Sequence, residues 1–257
     1  MTTTRPFWAS TRGARIFGVL TTLVVIAIVE GLIAAGIINP FIVPPPSQVA
    51  VAIPRVIAEE DLAHRFWLTT KEVLAASFLL AVVGIAIGAL LYRYRALRLA
   101  CESWVGALAA APIVLAYPLF LVIFGRSATT IVMIGFTAGL APVILKSVEG
   151  FAGVRPVLID VGRTLKLTAA QQFRMILLPA ALPSVFTGLR LGLIFAMINI
   201  VGVEFLINFG GLGQLINELA ERYDLPGTYA AIFFVVVVSI LFYVLTGKLE
   251  RWLRPHQ

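Results

Sequence analysis

Charge is scarce in this chain. Only 13% of its 257 residues are Asp, Glu, Lys or Arg, roughly half the share that a soluble domain carries. With 60% hydrophobic residues beside it, that scarcity excludes a water-soluble domain and points to an integral membrane protein, read as one domain over residues 1–257. Cysteine is nearly absent too. Cys101 stands alone, which excludes an internal disulfide and a zinc cluster and leaves it as a small residue near a helix end. The two histidines, His64 and His256, lie in polar segments. His-Glu-x-x-His, Gly-x-Ser-x-Gly and the Gly-x-x-x-x-Gly-Lys-Ser/Thr phosphate loop are all missing. No catalytic residue, metal site or cofactor is therefore expected in this chain, and it is not read as an enzyme. Nor is nucleic acid expected: the net charge of +7 comes from basic residues that bracket apolar runs instead of forming a patch among aromatics.

Long apolar runs are what the chain does have. Barrel strands would be about ten residues long and alternating; these runs are continuous and near the roughly twenty residues that a helix needs to cross a bilayer. The sequence predicts six spans, over about Ile16–Ile38, Val73–Tyr92, Ser103–Phe124, Ala128–Leu145, Ser184–Ile207 and Thr228–Thr246. The expected fold is an all-α, multi-pass membrane bundle. Pro112 and Pro118 interrupt the third run, which predicts a kinked or slightly re-entrant span. The first run follows Arg5, Arg12 and Arg15 and precedes Ala34-Ala35-Gly36, but its apolar part is too long for a signal peptide, so it is read as a retained helix after a tail over 1–15.

Basic residues set the expected orientation. Arg5, Arg12 and Arg15, then Arg93, Arg95 and Arg98, then Lys146, Arg155, Arg163, Lys166 and Arg174, then Lys248, Arg251 and Arg254 fall on one side. Arg55, Arg65, Arg126 and Arg222 fall on the other, with Lys71 at a helix end and Arg190 within a span. The positive-inside rule puts the richer side, with both termini, in the cytoplasm. Outside, the run Pro40–Pro46 must be extended before it turns, and Ser47 can cap a short helix through Val49–Ala52. Farther on, Leu212, Leu215, Ile216 and Leu219 share one helical face, with Glu218, Glu221 and Arg222 opposite. That pattern suits an amphipathic helix at the outer interface.

Three glycine pairs at i, i+4 spacing, Gly84/Gly88, Gly135/Gly139 and Gly188/Gly192, let helix backbones approach closely, in a tight bundle or in a dimer. Few ionisable or amide groups lie within the spans, and such groups are candidates for a pathway because burying them is costly. Arg190, Asn199 and Glu204 are the candidates. Each has a plainer alternative: snorkelling for Arg190, an interhelical hydrogen bond for Asn199, and solvation or capping of the following loop for Glu204. Glu30 poses the same alternatives.

The longest polar interruption runs over about 147–183. Pro156 can open a short helix to Leu165, and Thr168-Ala169-Ala170-Gln171 fits a capping box at the start of a second one, Ala169 to about Leu177. That helix is expected to stop before Pro179, with Pro183 in the first turn of the fifth span. Two short helices joined near Lys166 and anchored between spans make a stiff knob.

The same stretch resembles the cytoplasmic coupling motif of binding-protein-dependent ABC importer permeases: Glu-Ala-Ala, three residues, Gly, nine residues, Ile, one residue, Leu-Pro. Asp160-Val161-Gly162 stands in the first place, Lys166 in that of the glycine, and Ile176, Leu178 and Pro179 match in register. PAALPSVFTGLRLGL, VPPPSQV at 43–49, Pro118-Leu119, Phe124-Gly125 and Glu204 followed by Gly211-Leu212-Gly213 are similar to the nitrate/sulfonate/taurine branch. The resemblance implies six helices of the type I importer permease kind. It also implies a coupling elbow that meets an ATPase through Asp160, Val161, Gly162, Arg163, Thr164, Leu165, Lys166, Leu167, Thr168 and Ala169. Its implied partners are a second permease copy in a homodimer, two ABC ATPase subunits that hold the ATP and Mg, a solute-binding protein and the bilayer of a bacterial inner membrane. Its implied cargo is a small anion such as a sulfonate, taurine or nitrate, with a pyrimidine vitamin precursor or an aromatic acid as the alternative. An ion-coupled secondary transporter, the reading from another class, would need midplane charges or broken helices in internal repeats, and would leave the elbow unexplained. If the motif glycine is left-handed, Lys166 in its place costs about 1–2 kcal/mol.

Overall fold

The computed structural model describes residues 11–252; Arg5, Arg254 and His256 lie outside the described residues, as do the side chains of Arg12, Arg15 and Arg251. Every regular element among them is helical. α1 (Thr11–Ala34) is followed by α2 (Pro46–Glu59), α3 (Leu62–Leu79) and α4 (Ile85–Arg93), the last two joined through a π turn at Leu80–Gly84. α5 (Arg95–Ala110) leads through a 3₁₀ turn, Ile113–Ala116, to α6 (Tyr117–Phe124) and then to α7 (Ala128–Ala152). α8 (Pro156–Thr164) and α9 (Ala169–Gln172) form the polar interruption, and a second π turn, Phe173–Leu177, joins α9 to α10 (Leu178–Ile207). α11 (Gly211–Glu221) and α12 (Leu225–Trp252) complete the chain.

Five stretches are long and apolar enough to span a bilayer: Ile16–Ala34, Leu62–Arg93, Ala128–Ala152, Ala169–Ile207 and Leu225–Lys248. The expected third span is not one helix. α5 and the Ile113–Phe124 segment meet at 91°, because Pro112 cannot donate the hydrogen bond that would continue α5, and its ring excludes the preceding α-helical turn.

α7 and α10 form the centre, and the glycine pairs put them there. A Cβ built on Gly139 would lie 2.5 Å from the Gly192 carbonyl oxygen, so the two backbones touch. Gly84, at the end of the first π turn, makes room for the Val143 side chain of α7, and Gly88 of α4 for that of Ser147. All three pairs are thus used inside the protomer. Around them Val73, Leu80, Ile131, Ile134, Val143, Ala196 and Ile200 are buried.

Three expectations about the segments opposite the polar interruption are corrected. Ser47 does not cap α2, because Pro45 is the N-cap residue and Pro46 occupies the first turn. Instead Ser47 donates both its N–H and its hydroxyl to the Glu30 carboxylate of α1, at 3.0 and 2.7 Å. α2 runs to Glu59, far beyond Ala52. Finally, the apolar face of α11 does not lie on lipid: Leu212, Leu215 and Leu219 are buried in the protein core. Its polar face is tied down by Arg65–Glu218 at 2.7 Å and Arg222–Glu60 at 2.8 Å.

Candidate functional site

α7 ends at Ala152 with Gly153 as its C-cap, and Pro156 in the first turn starts α8 after Arg155. α8 ends in a Schellman motif. The Leu167 N–H donates to the Gly162 carbonyl at 3.0 Å and the Lys166 N–H to the Arg163 carbonyl at 2.9 Å. This geometry requires a left-handed residue at Lys166, whose φ is +52°. The lysine therefore carries the strain of about 1–2 kcal/mol that an L side chain meets there. The chain then re-enters a helix at once. The Thr168 hydroxyl accepts from the Gln171 N–H at 3.3 Å, and the Gln171 side-chain oxygen accepts from the Thr168 N–H at 2.8 Å, so the capping box is present.

The second short helix does not stop before Pro179. The π turn carries it into α10, with Pro179 near the start of α10 and Pro183 inside it. The wider π register falls just ahead of Pro179, where a regular α turn would crowd the proline ring. From Ala169 to Ile207 the chain is therefore one helix.

Packing makes the elbow stiff. Gly162 is buried, and a Cβ on it would lie 2.6 Å from Cδ1 of Ile176. Gln172 donates to the Ile159 carbonyl at 3.2 Å and so links the two arms. Behind them a chain of rings joins the elbow to the bundle, with Phe173–Phe151 centroids 5.5 Å apart and Phe151–Tyr92 5.7 Å apart. Phe151 is wholly buried. Outward, α8 and its C-cap residue present Val157, Val161 and Leu165, one helical turn apart, with Leu158 and Met175 exposed beside them. Arg155, Arg163, Lys166 and Arg174 are exposed around that stripe. Asp160 and Arg163 pair at 3.0 Å, an exposed contact worth little to stability. The surface holds no group of metal-binding side chains among the described residues; it is apolar at the centre and basic at the edge.

At the other end of α10 the Glu204 carboxylate is fully buried. It accepts from the Thr69 hydroxyl at 2.7 Å and from the Gly213 N–H at 2.8 Å, while Thr69 itself accepts from the Leu212 N–H at 2.9 Å. Glu72 lies against it, also buried. A Cβ on Gly211 or Gly213 would collide with Glu204 or the α10 backbone. The glycines let the first turn of α11 close over the carboxylate, which fills the place of the missing acceptors at a helix N-terminus.

Residues 73–255 match the family described as binding-protein-dependent transport system inner membrane component. The chain belongs to this family. It is a transport permease component, and ATP hydrolysis is carried by a separate subunit. The permease is 26% identical over 244 residues to the putative aliphatic sulfonates transport permease protein SsuC of Bacillus subtilis, covering 93% of this chain and 88% of that one. It is 26% identical to the taurine transport system permease protein TauC of Escherichia coli, with 85% and 82% covered. It is also 26% identical to the formylaminopyrimidine transport permease protein ThiX of Halalkalibacterium halodurans, with 84% and 86% covered. Its fold is similar to a chain of the inward-facing MetNI methionine ABC transporter, with a TM-score of 0.66 at 20% identity, over 76% of this chain and 96% of that one.

In the permease, the residues expected to form the docking elbow fall in one place but do not face one way. Asp160, Val161, Arg163, Thr164, Leu165, Lys166, Thr168 and Ala169 are exposed, Leu167 is half-buried and Gly162 is buried. The expected pathway residues are dispersed. The Arg190 guanidinium stacks over Tyr243, 4.1 Å from the ring centroid. The Asn199 amide donates to the Phe195 carbonyl of its own helix at 2.9 Å. Glu204 caps α11. Sequence reasoning missed Val157, Leu158 and Met175 on the elbow surface, although the i, i+4, i+8 spacing of Val157, Val161 and Leu165 was there to find. It also missed Thr69 and Glu72, for which the only signal was a polar i, i+3 pair at the head of an apolar run.

Proposed function

We propose that the permease forms the translocation pathway of an ATP-driven importer, and that its α8–α9 elbow seats in a groove of an ABC ATPase subunit. The observation that carries this reading is the elbow itself: an exposed apolar stripe with a basic margin, held rigidly on the end of a spanning helix. Loops that only connect spans have no reason to present Val157, Val161 and Leu165 to water. In this reading the elbow end is cytoplasmic, as are both termini, and two permease copies pair with two ATPases that hold the ATP and Mg. A solute-binding protein delivers cargo at the far end. Closure of the ATPases draws the elbows together, and the helices above them tilt so that access alternates between the two sides.

The proposed cargo is a small anion of the sulfonate, taurine or nitrate type, in keeping with the two relatives named for sulfonates and taurine. The formylaminopyrimidine relative favours a pyrimidine vitamin precursor as the second reading.

Co-purification tests the class. The ATPase should come down with the wild-type chain and be lost from the triple variant R163E/K166E/R174E, which reverses the margin. Unchanged assembly of that variant, or solute uptake into liposomes by the purified chain without ATP, would overturn the reading.

A further inference from the structure

The seat of α11 holds one carboxyl group more than its donors serve. Glu204 is wholly buried and Glu72 is only 7% exposed, and the two side chains are in hydrogen-bonding contact. Helix geometry brings them together. Glu72 stands one turn after Thr69 on the same face of α3, and Thr69 donates to Glu204 at 2.7 Å. The donors all go to Glu204, which takes the Thr69 hydroxyl and the Gly213 N–H at the positive end of α11. Glu72 receives neither, and its Oε2 is buried without a hydrogen-bond partner.

The cations of the neighbouring elements are engaged elsewhere. Among the described residues no Lys or Arg pairs with either carboxyl group. On α3, Arg65 is held by Glu218 of α11, Lys71 lies over the Trp67 ring and His64 is exposed. Arg126 donates to the Ile207 and Asn208 carbonyls at the end of α10, and Arg190 of α10 stacks over Tyr243 of α12. Arg55 and Arg222 pair with Asp224 and Glu60. Glu221 of α11 is exposed and accepts from Asn217. From α7 the titratable side chains are Lys146 and Glu149, which pair with each other at the elbow end.

Two touching, buried carboxylates repel each other strongly when both are charged. The donor that can stand between two carboxyl oxygens is a proton on one of them. We propose that Glu72 and Glu204 bind one proton between them, carried by Glu72 and donated to the Glu204 carboxylate, as a structural ligand of the joint between α3, α10 and α11. Glu204 keeps the charge because the Thr69 hydroxyl and the α11 N-terminus are aimed at it. Removing the proton leaves two like charges in the core and loosens the seat of α11, which makes the joint sensitive to alkaline pH. The site stands whether or not the elbow meets an ATPase.

The test uses the full chain in nanodiscs. At about pH 8, well above the ordinary carboxyl range, its infrared spectrum should contain the carbonyl band of a protonated carboxyl group. Glu72→Gln, whose amide can donate to Glu204 in the proton's place, should remove that band, and so should Glu72→Leu, which offers no donor. The wild-type melting temperature should fall as the pH rises from about 5 to about 9, because the unfolded chain gives up a proton that the folded one keeps. Glu72→Gln should flatten that profile. A wild-type spectrum without the band, or a band that survives in both variants, overturns the proposal. So does a Glu72→Gln protein whose melting temperature falls as steeply as that of wild type. Ionised carboxyls together with a melting temperature that rises with sodium or potassium chloride over choline chloride would make the ligand a metal cation, and the proton site would fail.

Discussion

Gly162 and Ile176 are in direct contact: the backbone of α8 lies on the Ile176 side chain, with no room for even a methyl group between them. The pair fixes the angle between the two arms of the elbow. Replacing Gly162 with valine should force the arms apart at a cost of about 1–3 kcal/mol. The variant should still insert and fold, since the contact lies outside the core of the bundle, but ATPase co-purification should drop at least tenfold. Wild-type recovery of the ATPase with Gly162→Val would show that the elbow angle does not matter.

Lys166 offers a test in the opposite direction. At φ of +52° a glycine removes the left-handed strain, offset by its greater freedom in the unfolded chain, and should gain up to about 1 kcal/mol. Asparagine should be neutral or slightly stabilising, and valine should be worse than lysine. Thermal melts of the four proteins in one detergent give the order, and a valine variant as stable as the glycine one would contradict a left-handed turn.

Glu204 accepts two hydrogen bonds in a fully buried place. Glu204→Ala leaves the Gly213 N–H and the Thr69 hydroxyl without their acceptor, each a loss of about 1–3 kcal/mol. Glu204→Gln keeps an oxygen for one of them and should fall between wild type and alanine. If Glu204 instead serves solute passage alone, Glu204→Ala should melt like wild type while transport falls.

Phe151 is the middle ring of Tyr92–Phe151–Phe173 and is wholly buried. Phe151→Ala should cost about 3–5 kcal/mol. Phe151→Leu keeps much of the volume and should cost less, yet loosen the elbow. The expected signature for leucine is near-normal expression with ATP hydrolysis poorly linked to uptake, read as the ratio of phosphate released to solute accumulated.

What the sequence made legible was local. The Thr168–Gln171 capping box needs only residues three apart, and the conflict at Lys166 is visible because one backbone turn demands a conformation that lysine resists. The spans were legible from their length and continuity. Long-range choices were not. The polar residues Thr69 and Glu204 meet across 135 positions, and nothing in either run names the other. Leu212, Leu215 and Leu219 read the same whether their face meets lipid or protein, so only the fold decides that they enter the core. The glycine pairs are equally compatible with a bundle and a dimer until α7 and α10 are seen in contact. Pro112 signals an interruption, whereas the size of the turn, 91°, is not written in the local sequence.

The unbroken helix from Ala169 to Ile207 has a thermodynamic corollary. At 1.5 Å per residue its 39 residues reach about 58 Å, longer than the bilayer is thick, so one rod carries the elbow at one end and the Glu204 clasp at the other. Any ligand whose affinity depends on the tilt of that rod, on either face of the membrane, is linked to every other such ligand. Linkage of this kind is reciprocal: whatever factor a partner at the far end imposes on binding at the elbow, a partner at the elbow imposes on the far end.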